Sequence, residues 1–203
     1  MKALIRKDFY ETMTSFRTIL IILLFFGATA VFMKDAQFIT PYMVILPGSL
    51  SSSVVNLEER EKWNLFAGSL PIRRKTVIDG KYVFSIILVL IGAVLAAVCT
   101  NIRPGQAFST IDFILSLLAF FCIGLLIPAF TLPVMYKFGP EKGRYVSMFL
   151  IITCVLVFGT GSSMKIWDTI GSFPIWAGGI AIVVVFVLSW LLSIKIYENK
   201  EMS

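Results

Sequence analysis

Hydrophobic and polar positions along the chain form long apolar runs separated by short charged segments. A membrane-spanning helix needs about 20 apolar residues, whereas a barrel strand shows about ten residues of alternating polarity. Only the first run includes a charged residue, Arg17, whose apolar stem can lengthen a short helix. The pattern predicts a single transmembrane domain over residues 1–203. Its six transmembrane helices are expected at residues 17–33, 36–57, 82–102, 113–136, 145–164 and 169–194.

Composition supports an all-α integral membrane protein. The chain is 58% hydrophobic and 15% charged, with a mean hydropathy of +0.88, whereas soluble domains contain about 25% charged residues. Its net charge of +6 is spread between apolar runs, which favours retention at the inner membrane face over nucleic-acid binding. The three cysteines lie in apolar runs without CxxC spacing, so they indicate neither a disulfide framework nor a zinc site.

The distribution of basic residues predicts the orientation of the chain. With the N-terminus inside, 15 of the 18 Lys and Arg residues lie on the inner side, leaving Lys34, Arg103 and Lys165 outside. Inner loops of membrane proteins carry such an excess. Both termini are therefore expected to be cytoplasmic.

The first sixteen residues predict an amphipathic helix that lies at the inner membrane surface. Its basic residues Lys2, Arg6 and Lys7 would meet lipid headgroups, as would Arg17 just beyond it. A second interpretation is a lever between a cytoplasmic partner and the first span, and the two roles are compatible. The apolar face comprises Met1, Leu4, Ile5, Phe9, Met13 and Phe16.

Two of the predicted spans contain prolines and hydroxyl residues. Proline interrupts the helical hydrogen bonds, and hydroxyl groups form bonds between helices. These spans either are packed interior helices or line a transport route and bend during transport. The candidate pathway or hinge residues are Pro41, Pro47, Ser49, Ser52 and Ser53 in the second span, and Pro128 and Pro133 in the fourth.

A charged connector follows the second span. Residues 58–82, "EEREKWNLFAGSLPIRRKTVIDGKY", hold ten of the thirty charged residues. Asn56, with Glu59 three positions later, resembles a capping box that would begin a short helix. Gly68 would end that helix, and Pro71 suits the first turn of a second helix that continues into the third span.

Trp63 and Phe66 share one face of this short helix. Aromatic side chains surrounded by charge are typical of protein contact sites. The alternative is that the two rings rest on the inner face of the membrane.

The connector resembles a signature of the ABC-2-type permeases, the membrane subunits of ATP-binding-cassette exporters. Glu58 and Glu59, followed by "WNLFAGSLPIRRKTVIDGKY", are similar to the family pattern E…W…sLP-x-x-R…V…KY. The resemblance implies a type V exporter-like permease fold, in which the cytoplasmic loop 58–81 carries a coupling helix that fits a groove on the ATPase subunit. Carried over, the coupling residues are Glu58, Glu59, Arg60, Glu61, Lys62, Trp63 and Phe66, and the residues that fasten the third span to the inner interface are Arg73, Arg74, Lys75 and Lys81.

The resemblance also implies partners and cargo. Two permeases, identical or related, would combine with two ATPase subunits, which bind ATP and magnesium, in a bacterial plasma membrane. Within the family, the chain is similar to permeases of phenol-soluble-modulin exporters. The expected cargo is hydrophobic or amphipathic, for example such a peptide or an antimicrobial peptide.

Chemical motifs of an enzyme are missing from the sequence. It contains no histidine and no G-x-x-x-x-G-K-[ST] phosphate-binding loop, and the six runs contain no Asp or Glu. Transport would therefore draw its energy from another chain, and no cofactor of its own is expected. An alternative function is a non-transporting membrane scaffold or immunity protein, which would have no associated ATPase.

Overall fold

The chain forms long helices. The computed structural model describes residues 7–10, 12–13, 17–18, 20–25, 40–61, 74–101, 110–161 and 175–198. Every one of these residues except Glu61 and Gly139 is helical. The long helices are α1 (Thr40–Arg60), α2 (Arg74–Asn101), α3 (Thr110–Phe138), α4 (Pro140–Gly161) and α5 (Ile175–Glu198).

The helices overlap the last five predicted runs, and the all-helical membrane architecture is confirmed. Three segments are long and apolar enough to cross a bilayer: Lys75–Asn101, Thr110–Phe138 and Gly178–Tyr197. The total of six spans and the surface position of residues 1–16 stay predictions. Much of the first run, 17–33, lies outside the described residues.

Helix α3 is the central element of the described bundle, because it packs against each of the other four long helices. Glycines let α1, α2 and α3 approach closely, as small residues do in membrane bundles. A Cβ on Gly92 would lie 2.8 Å from the carbonyl oxygen of Met43. A Cβ on Gly124 would lie 2.5 Å from methyl groups of both Val44 and Val89.

A single residue, Gly139, separates α3 from α4. Its φ of +88° is a left-handed conformation that glycine adopts without a steric penalty. The Gly139 N–H donates to the Met135 carbonyl over 3.0 Å, which caps α3, and Pro140 then begins α4. The charged turn predicted between the fourth and fifth spans is therefore very short.

The two halves of α3 have different surroundings. The residues from Gly124 to Tyr136 include most of its buried positions, whereas Ile111, Ile114, Leu115 and Leu118 are all at least half exposed. Many leucine, isoleucine and valine side chains of α2 and α5 are also exposed. Apolar surface of this extent must face lipid or a partner protein.

Candidate functional site

The candidate site lies at one end of the bundle, which we call the polar end. The C-terminal ends of α1, α3 and α5 meet the N-terminal ends of α2 and α4 there. Glu58 of α1 contacts Lys81 of α2, and the rings of Tyr136 and Tyr197, from α3 and α5, lie 5.6 Å apart. Residues 62–73, which join α1 to α2 and lie outside the described residues, leave from this end.

A cluster of four charged side chains connects three segments at the polar end: Asp8, Glu58 and Lys81 are buried, and Lys7 is partly exposed. The Lys81 ammonium is central, because its Nζ lies 2.6 Å from both Asp8 Oδ1 and Glu58 Oε1. Lys7 donates a second hydrogen bond to Glu58 and lies 3.6 Å from Asp8. Two carboxylates thus face two ammonium groups, and we refer to this set as the ion cluster.

The cluster is shielded from solvent. The side chains of Asp8, Glu58 and Lys81 are 2%, 7% and 4% exposed. Burial raises the pKa of the Asp8 carboxyl above its ordinary value of 3.8, and the adjacent Lys81 charge opposes that shift. Charges in such a place persist only when they are paired and hydrogen-bonded, so each member of the cluster depends on the others.

The N-terminal residues turn a polar face toward the bundle. Asp8 and Thr12, one turn apart, are buried, and the Thr12 hydroxyl donates to the Asp8 carbonyl over 2.5 Å. Phe9 and Met13, from the predicted apolar face, are 45% and 46% exposed. Both side chains lie on the surface of the described bundle, and the contact of this face with a membrane stays a prediction.

Next to the cluster, Tyr82 joins α2 to α5. Its hydroxyl lies 2.8 Å from the Ser189 hydroxyl and 2.7 Å from the Ser193 hydroxyl, and all three side chains are buried. Ser189 in turn donates to the Ala129 carbonyl of α3 over 2.5 Å. The neighbouring Tyr136 hydroxyl is buried without a hydrogen-bond partner among the described residues.

The structure brings part of the predicted pathway set together. Ser52 of α1 donates to Thr131 of α3 over 3.0 Å in a buried contact. The Ser49 and Ser53 hydroxyls instead donate to carbonyls of their own helix, at Leu46 over 2.8 Å and Ser49 over 3.4 Å. Of these three predicted serines, Ser52 is the one whose hydroxyl joins the two spans by a hydrogen bond.

The prolines do not end their helices. Pro47 lies inside α1, and Pro128 and Pro133 lie inside α3, both helices continuing beyond them. Pro41 lies in the first turn of α1, and its side chain is outside the described part. Their predicted role as a hinge stays untested.

The predicted coupling residues separate into two groups. Glu59 and Glu61 are exposed, whereas Glu58 is only 5% exposed. The Glu58 carboxylate contacts the ion cluster instead of facing outward, and its part in ATPase coupling stays a prediction. The side chain of Arg60 and all of Lys62, Trp63 and Phe66 lie outside the described residues.

The capping-box interpretation of Asn56 was wrong. Asn56 lies within α1, which continues to Arg60, and its Nδ2 donates to the Ser52 carbonyl of the same helix over 3.0 Å. Helix α2 begins at Arg74 and continues through the third predicted span, which agrees with the second helix predicted within the connector.

The predicted anchoring residues also fall into different groups, some exposed and some in the ion cluster. Arg17 and Lys75 are exposed, and the Lys75 ammonium lies 5.7 Å from the centre of the Trp190 ring. Lys81 and Lys7 are bonded within the ion cluster, and their predicted anchoring role at the inner interface stays a prediction. The side chain of Arg74 and all of Lys2, Arg6 and Arg73 lie outside the described part.

A cleft of about 610 Å³ opens at the polar end between α1 and the α3–α4 turn. Glu59 lies on one side, and charged residues of α4 lie on the other. No group of three His, Cys, Asp or Glu side chains within the described helices is placed to hold a metal ion. The cleft is lined by Asn56, Glu59, Phe138, Gly139, Pro140, Glu141, Lys142, Arg144 and Tyr145.

Sequence reasoning missed the ion cluster because its members are far apart in the chain. Asp8 and Lys81 are 73 positions apart, and Glu58 and Lys81 are 23 apart. One signal was available: Lys81 follows the buried Ile78 by three positions and precedes the buried Ser85 by four. Helical periodicity therefore places Lys81 on the inward face of α2.

These features define a helical integral membrane protein with a cluster of paired charges at one end of the bundle. The ABC-2 family transporter protein profile matches residues 3–198. The chain therefore belongs to the ABC-2 transporter family, and it is a permease that works with an ATPase subunit in an ABC transporter. No curated protein and no solved structure matches it.

Proposed function

We propose that the chain is the permease of an exporter that moves hydrophobic or amphipathic peptides out of a bacterial cell. The family match over residues 3–198 carries this proposal. ATP and its magnesium ion bind to the separate ATPase subunit, and the permease itself performs no hydrolysis. Two permeases, identical or related, and two ATPase subunits form the complex in the plasma membrane, with both permease termini in the cytoplasm.

The ATPase docks at the polar end, on the exposed residues that begin the connector. Glu59 and Glu61 are exposed there, and Trp63 and Phe66 follow Glu59 by four and seven positions in the sequence. Glu59 also lines the 610 Å³ cleft, so the docking surface extends toward the α3–α4 turn. Aromatic groups rimmed by charge provide both affinity and orientation at a protein interface.

The exposed surface of the helices supports the proposed cargo class. Exposed side chains of α2, α3 and α5 are predominantly apolar, and few hydroxyl groups accompany them. An amphipathic helical peptide of the phenol-soluble-modulin type, or an antimicrobial peptide, matches such a surface by burying its own apolar face against it.

Reconstitution with the ATPase tests this function. The permease and a co-expressed ATPase would be placed in inside-out vesicles with a fluorescent amphipathic peptide, and we expect ATP-dependent accumulation of the peptide. Trp63→Ala and Glu59→Ala should weaken capture of the ATPase, whereas Asp112→Ala, an exposed acid at the opposite end of α3, should not. A chain that captures no ATPase and moves no peptide would instead be a scaffold or immunity protein.

A further inference from the structure

The ion cluster joins the segments on both sides of the proposed docking connector. Glu58 lies four residues before residue 62, and Lys81 lies eight residues after residue 73. Their charged atoms are 2.6 Å apart, so the two ends of the connector are held together at its base. Asp8 adds the N-terminal segment through its own 2.6 Å contact with Lys81.

Stability alone does not account for this arrangement. Replacing a buried ion pair by apolar side chains of similar volume is often neutral or stabilising, because the charges lose their hydration. What charged hydrogen bonds supply is a defined position, since a shift of a few tenths of an ångström weakens them. The cluster therefore fixes how α1, α2 and the N-terminal segment lie relative to one another.

The contacts continue into the rest of the bundle. Tyr82, the residue after Lys81, bonds to Ser189 and Ser193 of α5, and Ser189 bonds to Ala129 of α3. A displacement of the start of α2 is thus passed to α5 and α3 through short, buried contacts. In the other direction, Asp8 passes it to the N-terminal segment.

We propose that Lys81, Glu58 and Asp8 are positioning residues that transmit movement of the docking connector to the transmembrane helices. The inference rests on the proposed function, because the movement originates in the ATPase. With its ends held together, the connector cannot absorb a push by separating α1 from α2, so the two helices and the N-terminal segment move as one body. Loss of the cluster leaves the ATPase docked but disconnects hydrolysis from transport.

The main test measures peptide transported per ATP hydrolysed in vesicles containing the permease and its ATPase. The double variant Glu58→Gln/Lys81→Met removes one charge of each sign and leaves Lys7 beside Asp8. We expect it to retain ATPase capture but to lower the transport ratio by about tenfold, a typical coupling between two sites. Lys81→Arg keeps the charge but changes the donor geometry, so its transport ratio should lie between those of the double variant and the original chain.

A matched control comes from the same helix. Asp79 accepts a hydrogen bond from the Trp190 indole over 2.9 Å outside the cluster, and Asp79→Asn should leave the transport ratio unchanged. If the double variant transports with the original ratio, the inference is overturned while the proposed function stands. If the unaltered chain neither captures the ATPase nor transports peptide, the proposed function itself has failed.

A distance measurement tests the same idea without disturbing the cluster. Spin labels at Tyr10→Cys and Glu61→Cys, both exposed positions, would be compared with and without ATP in a background lacking the three native cysteines. Movement as one body keeps this distance within about 2 Å, the scale of helix shifts at packed interfaces. A larger change during hydrolysis would show that the two segments move separately and would refute the inference.

Discussion

The polar end and the opposite half of the bundle meet an apolar environment in different ways. At the polar end, charged and hydroxyl groups turn inward and pair with one another, as Lys81, Glu58 and Tyr82 do. In the opposite half, helix α3 turns apolar side chains outward, and Ile111 and Leu118 are 71% and 55% exposed.

This difference shows which part of the molecule determines how the helices are positioned relative to one another. Hydrogen-bonded charges accept one geometry, because a misplaced partner leaves a buried charge uncompensated. Apolar contacts tolerate repacking and sliding at much lower cost. The polar end therefore fixes the relative positions of the helices, and the opposite half is free to adapt to its apolar surroundings.

The largest expected effect is the loss of stability when one member of the ion cluster is removed. Glu58→Ala leaves Lys81 buried with a single carboxylate, Asp8, and should lower the free energy of unfolding by about 3–5 kcal/mol. Glu59→Ala, one position along but exposed, should change it by less than about 0.5 kcal/mol. Unfolding by SDS in mixed micelles measures both, and equal effects would contradict the contrast between buried and exposed positions.

A glycine comparison comes second. Gly92→Ala introduces a Cβ 2.8 Å from a backbone oxygen of α1, and the resulting overpacking should destabilise the chain by about 1–3 kcal/mol. At Gly178, near the start of α5, a Cβ meets nothing within 4 Å. Gly178→Ala should therefore stabilise α5 by up to about 1 kcal/mol through helix propensity. The same SDS titration distinguishes the two, and a stabilising Gly92→Ala would show that the helices are not in close contact there.

Two tyrosines at the polar end provide the third comparison. Tyr82→Phe removes a hydroxyl that bonds to two serines. The free energy of unfolding should fall by about 1–2 kcal/mol. Tyr136→Phe removes a buried hydroxyl that has no partner in the described structure, so stability should stay the same or rise by up to about 1 kcal/mol. Thermal unfolding in detergent measures both changes. Comparable losses for the two variants would show that Tyr136 is bonded after all.

The smallest effect concerns the hydroxyl contact between α1 and α3. A double-mutant cycle of Ser52→Ala and Thr131→Val isolates their mutual interaction, which should be about 0.6 kcal/mol, the average for such contacts between membrane helices. Ser53→Ala paired with Thr131→Val is the control, because Ser53 is exposed and bonds only within α1. An interaction energy near zero for Ser52 and Thr131 would indicate that their contact helps to position the helices but does not stabilise them.

The helices themselves could be predicted because apolar runs of spanning length have few alternative structures. Residues 82–102, 113–136 and 169–194 each overlap a segment that is apolar and long enough to cross a bilayer. Helix ends were less accurate, because the capping-box pattern at Asn56 indicated that a new helix begins there. Helix α1 instead continues through Asn56 to Arg60.

The paired interior of the polar end could not be predicted from local patterns. Polarity indicates exposure only when a residue has no buried partner, and the partners of Lys81 come from two distant segments. Tyr82, Ser189 and Ser193 were likewise unremarkable in sequence, since each lies in or beside an apolar run. Their meeting depends on how α2 and α5 pack, which emerges only in three dimensions.

The turn at Gly139 has a mechanical consequence. With one residue joining α3 to α4, the pair has no slack, so any tilt of α3 must be followed at once by the beginning of α4. The junction fixes the distance between the two helix ends, and only the angle between the helices can change. Residues inserted at this junction would therefore change how α4 lies against α3.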